Sequence, residues 1–324
     1  MKVYNNFNEA YVSILEEVYY HAEFFNQPRG FSSREKLGMN FKLNNPTQRI
    51  VLNSLRKTNI VFNIAEALWY LTGKNDLDFI SYYNKRMPDY SMDNKTLTGT
   101  AYGTKIFNFN NQKTNQWQNV KEVLRQDPDS KRAVIQIFNA DELMIKNNLD
   151  VSCTLALQFM IREKQLHMVA YMRANDAFRG IVSDTFSFTF MQEFMARELG
   201  IEVGNYYHQV GTMHIYEPDN QWAQHVMRQQ DQTNFEQPIM PNGNNWPMLT
   251  ELMKYEKMLR LNELTVDWQF IKNTGLSDYW RQILALFSIY QMIHYHKNID
   301  IQLFKHLWPI YQYLLVNKWP TQLS

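Results

Sequence analysis

Hydrophobic positions along this chain change period twice, and the changes outline its architecture. From Asn8 to about Phe25, Tyr11, Ile14, Leu15, Val18 and Tyr19 recur at helical spacing among acids and polar residues, which predicts an amphipathic first helix. A polar, glycine-containing stretch follows, QPRGFSSREKLG. A second helical pattern then runs from Thr47 to Thr72 and stops at Gly73, a residue suited to a helix C-cap. A shorter helix is predicted over Asp76 to Lys85, and the polar segment from Pro88 to Thr104 reads as an irregular loop.

The middle of the chain alternates with period two. Val151, Cys153, Leu155, Leu157, Phe159 and Ile161 interleave with Ser152, Thr154, Ala156, Gln158 and Met160, which predicts a strand. REKQ supplies a turn, and Leu166 to Arg173 alternates again, so the two stretches predict an antiparallel hairpin. Arg132 to Phe138 and His208 to Tyr216 are expected to join the same sheet. Between them, Phe186, Phe190, Phe194 and Met195 predict a buried helix from Asp184 to Leu199 that ends at Gly200. A Gln/Asn/Pro-rich connection runs to Asn245, and helical patterns cover Pro247 to Leu264, Ser277 to Lys297 and Ile301 to Val316. The reading is an α+β chain: a catalytic-type unit over 1–230 with a helical extension over 231–324.

Composition narrows the function. Lys plus Arg total 33 against 32 Asp plus Glu, so no global field favours a nucleic-acid polymer or an anionic membrane. The single cysteine, Cys153, leaves no internal disulfide and no multi-cysteine metal site, which also removes a zinc-dependent cytidine deaminase. No metal is expected. Without a signal-peptide pattern or a membrane-length apolar run, the expectation is a soluble, cytoplasmic protein.

Taken alone, Cys153 fits a core thiol on an apolar strand face as well as a nucleophile. Several ordered segments around it carry more information. YMRANDAFRGIVSDTFSF, from Tyr171 to Phe188, resembles the nucleotide-site signature of the thymidylate synthase family, with Arg173, Ala174, Asp176, Gly180 and Asp184 in its characteristic places. VGTMHIY resembles that family's sugar-binding strand, DPDSKRAV its phosphate-binding segment, EALWYLTG the helix with its catalytic glutamate, and AYG the element with its active-site tyrosine. The resemblance runs from about Arg29 to Tyr216.

The resemblance implies a fold, a reaction and a set of roles. The fold is a mixed, largely antiparallel sheet packed with helices, as a homodimer across the sheet. The reaction is transfer of a one-carbon group from 5,10-methylenetetrahydrofolate to C5 of a pyrimidine nucleotide, with Cys153 adding to C6. Nearby cations are expected to depress the thiol. Glu66 would organise water and move protons, although on position alone it fits a solvated helix residue equally well. Tyr102 and Asp176 would hold the proton network and the folate, with Gly180 beside them; a loop hydroxyl and a capping carboxylate are the plain alternatives. Arg29, Arg173, Lys131 and Arg132 would bind phosphate, the last two across a two-fold interface, and His214 and Tyr216 would bind the ribose.

Departures from the pattern bear on substrate and product. Asp184 stands where uracil-specific members carry asparagine. A carboxyl that shares a proton with N3 complements cytosine, which is the pattern of the cytidylate hydroxymethylase branch; drift at a helix N-cap is the alternative. Lys131 and Ala174 replace an arginine and a serine at the phosphate site, which favours CMP over dCMP and resembles the CMP hydroxymethylases of nucleoside antibiotic biosynthesis. Thr154 and Thr212 replace a histidine and an aspartate. KWPTQLS lacks the apolar tail with which the family excludes water, so a hydroxymethyl product is expected. The remaining readings are a dCMP hydroxymethylase, a divergent thymidylate synthase acting on dUMP, and a catalytically silent nucleotide-binding protein.

Overall fold

A computed structural model describes residues 1–110, 113–229 and 234–323, and in it the alternating stretches become strands of one mixed sheet. Among the described residues these are β1 (Lys2–Tyr4), β2 (Phe24–Asn26), β3 (Ser33–Leu37), β4 (Asn40–Leu43), β5 (Val134–Gln136), β6 (Thr154–Arg162), β7 (Gln165–Asp176) and β8 (Glu202–Tyr216). The order is β1-β4-β8-β7-β6-β5, with β3 on β8 beyond β4 and β2 on β3. β6 and β7 form the expected hairpin. Its two-residue loop, Glu163 and Lys164, has φ of 52° and 60°, the left-handed pair that matches strand twist. β7 and β8 run parallel, joined by a long helix that packs on the sheet.

The helices are α1 (Phe7–Tyr20), α2 (Ile60–Leu71), α3 (Leu77–Tyr83), α4 (Tyr102–Phe107), α5 (Gln116–Gln126), α6 (Gly180–Leu199), α7 (Asn220–Arg228) and α8 (Trp246–Arg260). Five more follow: α9 (Trp268–Lys272), α10 (Asp278–His294), α11 (Ile301–His306), α12 (Pro309–Lys318) and α13 (Pro320–Leu323). α2 and α6 are buried almost all round, so polar residues of α6 such as Thr185, Ser187, Gln192 and Glu193 are enclosed together with its apolar ones. Glu193 of α6 and Arg49, from the segment ahead of α2, 0% and 4% exposed at the side chain, form an ion pair inside the core, and Met240 N–H also donates to Glu193 at 2.8 Å.

Several boundaries differ from the sequence reading, each for a local reason. The first helix stops at Tyr20 because Phe24–Asn26 pairs with β3. The helix expected from Thr47 begins only at Ile60: Asn53 caps a short turn through Arg56 N–H, Lys57 turns left-handed at φ 52°, and Asn59 caps α2 by accepting from Phe62 N–H. α4 begins inside the segment read as loop. There Gly103 is obligatory, since a Cβ would lie 2.6 Å from the Tyr70 carbonyl oxygen. The last helical pattern breaks at Pro309, with Trp308 extended before it. The expected boundary between 230 and 231 lies outside the described residues. The extension nevertheless docks on the rest: Tyr290 donates to the Tyr82 carbonyl, Tyr313 to that of Leu52, and Tyr83 to Glu256. No helix among the described residues is long and apolar enough to cross a membrane.

Candidate active site

Cys153 was expected within a strand and instead sits one residue before β6, half-buried, where the chain leaves a tightly held segment. Asp150 anchors that segment by accepting N–H bonds from Thr98, Gly99 and Thr100 at 2.7–2.8 Å. Glu142 accepts from Ser152 N–H at 2.6 Å and pairs with Lys105, whose ammonium also donates to Ser152 Oγ at 2.5 Å. Arg173 on β7 completes the clamp. Its guanidinium donates to the carbonyls of Ser152 and Val151 at 2.8 and 2.9 Å and reaches Cys153 Sγ at 3.6 Å. The backbone on both sides of the sulfur is therefore fixed, which a nucleophile needs for its attack geometry.

The thiol itself corrects one expectation. Burial pushes the Cys153 pKa up and outweighs the pull of Arg173; Asp184 pushes it further, and Arg29 opposes. The sulfur rests as a thiol and must lose its proton on the way to attack. Arg29, left-handed at φ 52° in the turn Pro28–Gly30, thus does come within electrostatic reach of Cys153.

Glu66 lies in the middle of α2 at 7% exposure, so it is no solvated helix residue. Ser187 Oγ on α6 donates to it at 3.2 Å. Burial and then the neighbouring Asp184 raise its pKa to about 8, against the hydroxyls of Ser187 and Tyr70. Tyr102 is buried beneath these groups, its ring stacked on Tyr70 at 4.9 Å and facing Phe188 at 6.3 Å, with Asp184, Cys153 and Glu66 all within its field.

Asp184 falls inside α6, since the helix starts at Gly180 and not at Asp184 as expected. N-cap drift therefore cannot account for its carboxyl. Burial raises its pKa to about 7, opposed by Asn175, whose Nδ2 donates to Oδ2 at 2.5 Å, and reinforced by Asp176. Asp176 accepts N–H bonds from Phe178 and Arg179 through Oδ1 at 2.8 and 3.0 Å, so it does cap the turn into α6. Oδ2 keeps its lone pairs. Burial still raises the Asp176 pKa and lowers that of His214, its partner across the β7–β8 ladder. Tyr216 follows on β8, its ring 4.8 Å from that of His214, and Ala174 pairs with Thr212 on the same ladder.

One group of residues is not brought in. Lys131 and Arg132 stand exposed ahead of β5, away from the groups that act on Cys153. A role for them at this site within one chain is not what the structure provides.

With this geometry in view, the comparisons with known proteins decide the family. The sequence model described as Thymidylate synthase matches residues 9–256. The chain belongs to the thymidylate synthase family. Members of that family use methylenetetrahydrofolate and act on pyrimidine nucleotides. The chain is similar to the deoxyuridylate hydroxymethyltransferase of Bacillus phage SP01, 32% identical over 221 residues, which are 65% of this chain and 57% of that protein. It is also similar to the proteins of the same name from Pseudomonas phage M6, 30% identical over 53% of this chain and 49% of that one, and Delftia phage PhiW-14, 27% identical over 66% and 62%. The chain thus spans about half to three fifths of the length of these curated relatives.

For a thymidylate synthase family member the turn from Asp176 to Gly180 suits a folate. Asp176 Oδ2 is free to accept from ring N–H groups, and Gly180 opens α6 beside it. The sequence reading missed four residues of the site. Asn175 sits in the motif itself, where a polar side chain at a buried strand position was the available signal. Glu142 closes a capping box with Asn139, visible as NADE. Lys105 and Tyr90 had no local signal. Tyr90 ends a short 3-10 turn, Met87–Tyr90, and tertiary structure brings it within reach of Arg29, Cys153 and Tyr216, with burial raising its pKa.

Proposed function

We propose that this chain is a pyrimidine nucleotide hydroxymethylase that converts CMP to 5-hydroxymethyl-CMP through a covalent Cys153 adduct. The observation that carries the reading is the grouping of a clamped sulfur, with Arg173 at 3.6 Å, and two enclosed carboxyls, Glu66 and Asp184, held near neutrality at about 8 and 7. Such groups exchange protons at physiological pH, which addition to a pyrimidine ring requires.

Cys153 Sγ adds to C6 as its proton passes to solvent water, and the C5=C6 electron pair moves to C5, making that carbon nucleophilic. Arg173 holds the sulfur on line and, with Arg29, meets the phosphate. Methylenetetrahydrofolate, bound at Asp176 and Gly180, would supply the one-carbon unit. In its ionised form Glu66 takes the C5 proton, and the bond between the one-carbon unit and the folate nitrogen would break with tetrahydrofolate leaving, which would give a methylene group on C5. Water oriented by Glu66 adds its oxygen to that methylene and loses a proton. As the C5=C6 bond re-forms, the sulfur–C6 bond breaks and the sulfur regains a proton as thiol. Tyr102 keeps the proton network ordered, while His214 and Tyr216 face the sugar. A two-fold partner would bring Lys131 and Arg132 to the phosphate. The hydroxymethyl product is supported by the names of the phage relatives.

Asp184 chooses the base. A neutral carboxyl donates to cytosine N3 through O–H and accepts from N4–H through the other oxygen. A mismatch buried at this position costs on the order of 1–3 kcal/mol, enough for a preference of ten-fold or more. The second reading is hydroxymethylation of deoxyuridylate, favoured by what the relatives' names say they act on. Incubating the protein with methylenetetrahydrofolate and CMP, dCMP, UMP or dUMP, then weighing the products, separates the two. CMP gaining CH2O is the expected result. Inert cytidylates alongside converted deoxyuridylate would overturn the base assignment, and a gain of CH2 would overturn the product.

A further inference from the structure

A carboxyl that reads a base must also be told which of its oxygens carries the proton. Asp184 has two chemically equivalent oxygens: with the hydroxyl toward N3 it matches cytosine, and with the carbonyl toward N3 it matches uracil. A freely exchanging proton would serve both bases. Selectivity therefore needs a second group that makes the oxygens unequal.

Asn175 is placed to do this. It is 3% exposed, on β7 two residues beyond Arg173. Its Nδ2 donates to Oδ2 of Asp184 at 2.5 Å and leaves Oδ1 without that donor. An oxygen that accepts an N–H bond is the poorer place for a proton, because a hydroxyl oxygen is the weaker acceptor. Oδ1 of Asn175 itself is buried with no hydrogen-bond partner. A buried amide carbonyl left unpaired is unfavourable, so the amide is held in this orientation by its other end, the bond to Asp184.

We propose that Asn175 is a specificity-determining positioning residue: its amide N–H fixes Oδ2 of Asp184 as the accepting oxygen, so that Oδ1 carries the proton and presents it to N3 of a cytosine. This rests on the assignment of Asp184 as the base reader. The other ionisable groups in its field are Glu66 and Tyr70 from α2, Tyr102 from α4, Asp176 at the end of β7, Tyr206 from β8 and the Cys153 thiol. Three of these are tyrosines, whose hydroxyls stay neutral; Asp176 favours a protonated Asp184 without choosing between its oxygens, and Glu66 is itself raised by Asp184.

The test compares kcat/KM for CMP and UMP in wild type, Asn175→Leu, Asn175→Ser and Asp184→Asn, each with methylenetetrahydrofolate. Asn175→Leu is expected to lower the CMP-to-UMP ratio about ten-fold, with part of the change from a gain on UMP, because the proton can now sit on either oxygen. A merely structural defect would depress both substrates together. Losing the donor also moves the alkaline limb of the CMP profile to higher pH, since the anion of Asp184 is no longer stabilised. Asn175→Ser, which keeps a hydroxyl donor, restores part of the ratio and carries the test should the leucine variant not fold. An unchanged ratio and unchanged alkaline limb in a folded Asn175 variant, with Asp184→Asn inverting the preference, overturns the role of Asn175 alone. Wild type that ignores cytidylates, or Asp184→Asn that leaves the preference untouched, overturns the base reader and this inference with it.

Discussion

Replacing Glu66 by glutamine separates what this carboxyl does for chemistry from what it does to stability. The side chain is 7% exposed, accepts from Ser187 Oγ at 3.2 Å, and titrates at about 8 against an ordinary 4.5. Below the ordinary value the carboxyl is protonated whether the chain is folded or not, and the substitution changes little. As pH rises from there the unfolded chain ionises while the folded chain holds its proton, so wild type loses stability, and the loss is complete only above about 8. Glutamine has no such titration. Relative to Glu66→Gln, wild type should lose roughly 4 kcal/mol between about pH 5 and about pH 9. Urea unfolding of both proteins at the two pH values measures this as a difference of differences, in which every other titrating group cancels to first order. Turnover should fall about a hundred-fold or more in the same variant, because the amide cannot move a proton. Parallel stability curves across this range would refute the claim that Glu66 is enclosed and protonated.

Three further outcomes follow from the same geometry. Alkylation of Cys153 by iodoacetamide should rise with pH along a curve displaced above that of a free cysteine, and Arg173→Ala should displace it further; a midpoint below the ordinary value would mean that cations, and not burial, govern the thiol. Glu193→Ala leaves Arg49 buried without its partner and removes the acceptor of Met240 N–H, so urea unfolding should register a loss of about 3–5 kcal/mol. Cys153→Ala should keep the wild-type circular dichroism and melting behaviour while abolishing product, and residual conversion at wild-type rate would exclude the covalent route.

The sheet and most helices were legible because their periods are strong: the β6–β7 hairpin and α6 follow directly from alternating and helical apolar positions. The start of α2 was not, because Asn53 and Asn59 end one backbone arrangement and begin another through side-chain bonds that a hydrophobic pattern does not register. Within the site, electrostatic reach and hydrogen bonds link Cys153, Glu66, Tyr102, Asp176, Asp184, Arg173, Arg29 and His214 to one another. The state of the sulfur was misread, since burial outweighs the pull of Arg173 and Arg29, and burial follows from tertiary packing that a local motif does not register. Lys131 and Arg132 stay outside one chain's cleft, and only a second subunit could change that.

The acids that line this cleft, Glu66, Asp184 and Asp176, are all held above the usual carboxylate range. An inventory of formal charges would make the cavity strongly negative and hostile to a phosphomonoester. Enclosure instead favours the protonated forms of Glu66 and Asp184 before any ligand arrives, so an entering dianion meets arginines opposed by less negative charge than the inventory suggests. Ring protonation can then draw on a supply already at hand, without recruiting hydronium from bulk solvent.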